Sequence, residues 1–166
     1  HAGAAHTDKL EAVGVQLAKD GADAAVLTSP ASLAWAFNIR GGDVSCTPLP
    51  LGRAILYADG SAELFIDEAK TDGALRRHLG NTVTLRPLSQ LEDGLASLSG
   101  KTVSLDPDVA SAWFFDRLAS SGAKILRQRD PVALPRACKN AAEIKGTTAA
   151  HARDGVALTR FLHWLD

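Results

Sequence analysis

An amide, a guanidinium and a carboxylate surround a glycine pair in the segment Asn38-Ile-Arg-Gly-Gly-Asp43, close behind Trp35 and Phe37. Arg40 offers a rigid fork of donors matched to carboxylates and peptide carbonyls. Gly41 and Gly42 let the backbone turn sharply and come close to a ligand. Unlike polar groups beside aromatics suit a loop that binds, more than one that is merely solvated. A second reading carries equal weight: Arg40 and Asp43 pair with each other and only pin the loop. The glycine pair is no phosphate cradle, because no G-x-G-x-x-G follows a strand.

Other chemistries find less support. Asp67 and Asp106 each sit just past a predicted strand, and two such carboxylates could hold Mg²⁺ for phosphodiester chemistry. The plainer and preferred reading makes each one the cap of the helix that follows. His1, His6, His78, His151 and His163 show neither H-x-H nor H-E-x-x-H spacing, so no two imidazoles are set to share an ion. His151 reads instead as a hydrogen-bonded histidine at an interface. There is no C-x-x-C, G-x-S-x-G or P-loop. Cys46 and Cys138 read as thiols of a reducing, cytoplasmic compartment. The expected catalytic and metal-ligand sets within the chain are therefore empty.

The elements that must position the loop follow from periodicity and punctuation. Strands are predicted over 24–28, 53–58, 63–66, 82–86, 102–105 and 124–127, the second and third joined by Asp59-Gly60, a hairpin signal. Helices are predicted from the capping-box-like Asp8–Glu11, over 31–37 and 68–79, from Pro87 to Leu98, and over 109–118 with Asp106-Pro107 as cap and first turn. Residues 130–135 read as a Pro-rich connector. A long helix starts at the box-like Asn140–Glu143, and Ile144, His151, Leu158 and Leu165 recur every seven residues along it. That spacing is a seam for a neighbour, weakened at Gly146 and Gly155. The pattern gives an α/β domain with a mixed five- to six-stranded sheet flanked by helices.

Composition narrows the partners. The chain has 166 residues, with 18 Lys and Arg against 19 Asp and Glu. So even a balance argues against nucleic-acid or membrane-surface binding, which needs a basic excess. No apolar run approaches the roughly 18 residues of a membrane span. The absence of Met and the opening His1 suggest a segment of a longer protein, and the apolar pattern up to Asp166 suggests the same.

The stretch from Ser32 to Asp43, with Thr47-Pro-Leu-Pro50 after it, resembles the middle domain of three-domain aminopeptidase P, the Xaa-Pro aminopeptidases. So do Leu134–Gly146, Ala150–Gly155 and Phe161–Asp166, and the resemblance runs over essentially the whole chain. It departs at Gly42, where family members usually carry Ser, and at Cys46, where many carry His. The resemblance implies a creatinase/prolidase N-terminal fold with a ribonuclease-H-like motif over residues 1–139. Residues 140–166 would then be a long helix leading toward a pita-bread catalytic domain of the same protein. The parent would release the first residue from Xaa-Pro peptides with two divalent metals, usually Mn(II). In that family the metals are held by two Asp ten residues apart, one His and two Glu. No Asp here has another Asp eleven positions on, so that set is expected outside this chain. The resemblance thus implies a non-catalytic scaffold or substrate-access domain, with Asn38, Arg40, Gly41, Gly42 and Asp43 as the access loop. Partners would be the catalytic domain and proline-containing peptides, with a homodimer left open. The alternatives are a self-contained binding or dimerisation module and the Asp67/Asp106 metal enzyme.

Overall fold

Ala24–Leu27 (β1) is buried at every residue, as a strand covered on both faces must be. In the computed structural model, which describes residues 2–165, β1 lies inside a six-stranded sheet. The other strands are Gly52–Tyr57 (β2), Ala62–Ile66 (β3), Val83–Pro87 (β4), Thr102–Leu105 (β5) and Lys124–Arg127 (β6). Their order is β4-β3-β2-β1-β5-β6. The β1–β2 and β2–β3 pairs are antiparallel, and β1–β5, β3–β4 and β5–β6 are parallel. All six predicted strands are present. The Asp59-Gly60 turn is also where the sequence puts it: Gly60 takes φ +83° and Asp59 Oδ1 accepts from the Ser61 amide at 2.9 Å.

Alternate strand residues feed two separate cores. Ala25 and Leu27 of β1 pack with Leu56 and Leu64 under His6–Lys19 (α1), Pro30–Ala36 (α2) and Gly73–Leu79 (α3). Ala24 and Val26 pack with Ile55 and Phe65 under Leu91–Ala96 (α4) and Ala112–Ser121 (α5). Each fully buried Leu or Phe stabilises by about 1.5–3 kcal/mol. Gly14 lets α1 press on the β2–β3 hairpin, since a Cβ there would lie 2.9 Å from the Ala58 carbonyl oxygen.

Several helix boundaries differ from expectation, each for a local reason. α1 starts at His6 with Ala5 as N-cap, and Asp8 sits in the first turn and is not the cap. The 68–79 helix divides into a 3-10 turn at Glu68–Lys70 and α3, whose cap is Asp72, accepting from the Leu75 amide at 2.7 Å. Pro87 ends β4 and begins no helix; a 3-10 turn, Leu88–Gln90, leads into α4. α5 begins at Ala112 and not at 109, because residues after Asp106 form a turn held by Asp106. The supposed connector contains a short helix, Ala133–Ala137 (α6), with Pro135 in its first turn, where no intrahelical acceptor is lost.

The last helix, Ala141–Leu165 (α7), starts as the sequence indicates. Asn140 Oδ1 accepts from the Glu143 amide and Glu143 Oε2 accepts from the Asn140 amide, each at 3.0 Å, a reciprocal capping box. Ile144, Leu158 and Leu165 of the seam are 56–60% exposed, and His151 is exposed too. His1 and Asp166, the ends of the two segments expected above, lie outside the described residues. Among those described, no helix is long and apolar enough to cross a membrane.

Candidate functional site

The loop after α2 runs back to β2 at the sheet end where β1, β3 and β5 finish, because Leu27 pairs with Ala54 and Gly52 with Ile66. Open α/β sheets hold ligands outside the carboxyl ends of their strands. Buried Lys9 and half-buried Asn38 fasten the loop from below. Lys9 Nζ donates to the Trp35 carbonyl at 3.0 Å and to Asn38 Oδ1 at 2.6 Å, and stands 4.2 Å from the Trp35 ring centroid. Asn38, at φ +54°, in turn donates from Nδ2 to the Ala4 carbonyl at 2.8 Å. Burial lowers the Lys9 pKa, with Glu143 opposing and Arg40 adding to the effect.

Arg40 and Asp43 do not pair. Arg40 Nη1 donates to the carbonyls of Ala34 at 3.2 Å and Ile39 at 2.8 Å, closing the last turn of α2. Asp43 forms an ion pair with Lys70 and accepts from the Leu51 amide at 2.8 Å. These partners, Lys70 first, hold the Asp43 pKa below the usual carboxylate range. The guanidinium is thus held at the loop's exposed edge by its Nη1 atom.

The glycine pair works differently from the expectation of a sharp turn. The left-handed residues are Asn38 and, beyond the segment, Cys46, not the glycines. Gly41 is needed for space: a Cβ there would lie 2.7 Å from Pro50 Cα. Gly42 faces open space. Gly41→Ala should therefore destabilise the chain by about 1–3 kcal/mol, whereas Gly42→Ala should change it by less than about 0.5 kcal/mol. Urea unfolding of the two variants checks this, and equal midpoints would contradict it.

Asp67 and Asp106 are not brought together. They follow β3 and β5, which β2 and β1 separate, roughly 14 Å at about 4.8 Å per strand step. Asp67 Oδ1 caps the 3-10 turn through the Ala69 amide at 3.0 Å. Asp106 caps no helix: Oδ1 accepts from the Asp108 amide at 2.9 Å and Oδ2 from the Asp130 amide at 2.8 Å. Among the described residues, no three His, Cys, Asp or Glu side chains gather as a metal site.

Two arrangements escape sequence reasoning. Asp130, within the supposed connector, is buried and accepts from Ser32 Oγ at 2.5 Å and the Val132 amide at 2.8 Å. It ties α2, and so the loop, to β5 and α6. His6 and His78, far apart in sequence, meet with ring centroids 4.8 Å apart and their planes tilted by 45°. Their Nε2 atoms lie 3.3 Å from the Leu79 carbonyl and 2.9 Å from that of Phe37. Contacts of such sequence separation leave no periodic signal.

Between the loop and the first half of α7 lies a groove of about 620 Å³, lined among others by Trp35, Arg40, Arg136, Lys139 and Glu143. A smaller recess of about 320 Å³ adjoins it at Trp35 and Arg40 and reaches Lys9.

The family model of the creatinase/prolidase N-terminal domain matches residues 1–143. The probable Xaa-Pro aminopeptidase P of Coccidioides posadasii (strain RMSCC 757 / Silveira) is 35% identical over 99% of this chain and 28% of its own length. Xaa-Pro aminopeptidase 1 of Dictyostelium discoideum is 30% identical over 96% of this chain and 25% of its own. The crystal structure of X-prolyl aminopeptidase from Caenorhabditis elegans, described as a cytosolic enzyme with a di-nuclear active site, superposes with TM-score 0.86. It is 26% identical and covers 98% of this chain, which spans 27% of that one. The chain thus spans little more than a quarter of the relatives it matches. An Xaa-Pro dipeptidase from Bacillus anthracis shares the fold at TM-score 0.65 and 15% identity. On the match over residues 1–143, carried by the six-stranded sheet and its two helical faces, this chain belongs to the creatinase/prolidase N-terminal domain family.

Proposed function

We propose that this chain is a scaffold and substrate-access domain of an Xaa-Pro aminopeptidase, a cytoplasmic metallopeptidase that releases the first residue from Xaa-Pro peptides. The observation that carries the reading is the likeness to Xaa-Pro aminopeptidases along 99% of the chain in 28% of theirs. Residues 140–166 then connect residues 1–139 to a catalytic domain of the same protein. The chemistry of a metal pair, Mn(II) or a similar ion, is an activated water and a polarised carbonyl, and belongs to that domain.

In this reading the chain's own residues position a peptide. Arg40, fixed by the carbonyls of Ala34 in α2 and Ile39 after it, presents donors to a peptide carbonyl or carboxylate. Gly41 brings backbone against Pro50, and the Asp43–Lys70 pair holds the far end of the loop. The exposed cysteines, Cys46 and Cys138, are unbridged, which suits a reducing compartment.

The test measures release of the first residue from the tripeptide Ala-Pro-Ala in Mn²⁺, by the full-length parent and by this chain alone. The parent should cleave and the chain should not. Mn²⁺-dependent release by the chain, or a parent inert toward Xaa-Pro bonds, would overturn the reading.

A further inference from the structure

We infer that the groove between the Asn38–Asp43 loop and the first half of α7 binds the free C-terminal carboxylate of a short peptide, held by Arg40 and Arg136. The inference rests on the peptidase reading above and adds to it a ligand group and two residues that would hold it.

Charge is the first observation. Arg40, Arg136 and Lys139 line the groove, Lys9 lies in the adjoining recess, and Glu143 is the one carboxylate among the lining residues. This concentration of positive charge occurs in a chain of formal net charge -1, so it is local and not a reflection of overall composition. A concave site lined by one sign of charge raises the local concentration of the opposite ion.

Availability is the second. Glu143 is engaged by the Asn140 amide, Lys9 by the Trp35 carbonyl and Asn38, and Lys139 by the Arg136 carbonyl. Among the described residues the Arg136 guanidinium has no acceptor, and Arg40 uses only Nη1. Arg136 therefore keeps its whole guanidinium fork and Arg40 its Nε and Nη2 donors, beside the remaining N–H groups of Lys139 and Lys9; two guanidinium groups on separate elements suit a planar carboxylate gripped from two sides. Lys9 is buried in the adjoining recess, so that side of the groove is partly shielded from water, where such bonds are stronger.

Shape is the third. The groove volume falls in the range of small-ligand pockets, and Ala31, Ala34, Pro48, Leu49 and Ala133 give it small apolar walls. These accept a short aliphatic or prolyl side chain next to the carboxylate.

The test titrates the ¹⁵N-labelled chain with three probes: Ala-Pro-Ala as the acid, the same peptide as its C-terminal amide, and inorganic phosphate. Trp35 supplies a reporter, because its Nε1–H lies buried without an acceptor beside the groove. The acid should shift the Trp35 indole and Arg side-chain signals saturably, and the amide should bind at least tenfold more weakly. Arg136→Ala should weaken the acid at least tenfold while leaving signals of the sheet in place. Equal binding of acid and amide, phosphate matching the acid, or no saturable shift would overturn the inference. Each of these leaves the parent's cleavage of Xaa-Pro bonds unaffected. A parent that cleaves none, beside a chain that binds the acid, would overturn the peptidase reading and leave the groove's carboxylate preference standing.

Discussion

Arg40→Ala in the full-length parent should lower kcat/KM for Xaa-Pro peptides at least tenfold, about 1.4 kcal/mol of transition-state stabilisation. Its folding stability should fall by no more than about 1 kcal/mol. The two effects separate because of what Arg40 touches. Within the chain it closes only the last turn of α2, through the Ala34 and Ile39 carbonyls, an exposed contribution of about 0.3–1 kcal/mol. Its remaining donors have no acceptor among the described residues, and under the proposed access role their loss would be felt by a bound peptide. Arg40→Lys should recover the charge and not the fork, and should stay at least threefold below wild type. Activity within about twofold of wild type in Arg40→Ala, or a loss matched by unfolding, would make the loop purely structural.

Asp130→Ala should be the most damaging single polar change, costing about 2–4 kcal/mol. Ser32 is fully buried and its hydroxyl donates to Asp130 at 2.5 Å, and the Val132 amide donates to the other oxygen. Removing the carboxylate leaves two buried donors without their acceptor, each worth about 1–3 kcal/mol when unmet. For a chain of this size the melting temperature should fall by roughly 5–15 °C. Ser32→Ala combined with Asp130→Ala should cost clearly less than the sum of the single changes, because the two side chains share one bond. A loss below about 1 kcal/mol for Asp130→Ala would show that the network does not hold α2 in place.

The strands were legible because their signals are local: β-branched or aliphatic runs, and Asp59-Gly60 between β2 and β3. The Asn140–Glu143 box was legible for the same reason, since both partners lie within one turn. Asp106 shows where such reading ends. Asp-Pro is a common helix start, yet the second carboxylate oxygen is taken by the Asp130 amide, which follows a further strand, and the helix waits until Ala112. Pro135 misled in the opposite direction, because proline in the first turn of a helix costs nothing there. In the loop, residue types marked a binding segment without identifying partners. Sequence neighbours Arg40 and Asp43 are separated by their attachments to α2 and to Lys70, and Lys9 arrives from α1 to hold Asn38. No spacing rule anticipates side chains that meet only after the sheet has formed.

Placing the loop against a bound peptide tests the access reading most directly. The full-length parent is illuminated with an Xaa-Pro peptide carrying a photoreactive group at its C-terminal residue, under conditions that prevent cleavage, and the labelled residues are mapped. Label within Asn38–Asp43, displaced by excess unlabelled Xaa-Pro peptide, is the predicted result. Label confined to segments outside this chain, with Asn38–Asp43 unmarked, would contradict the account.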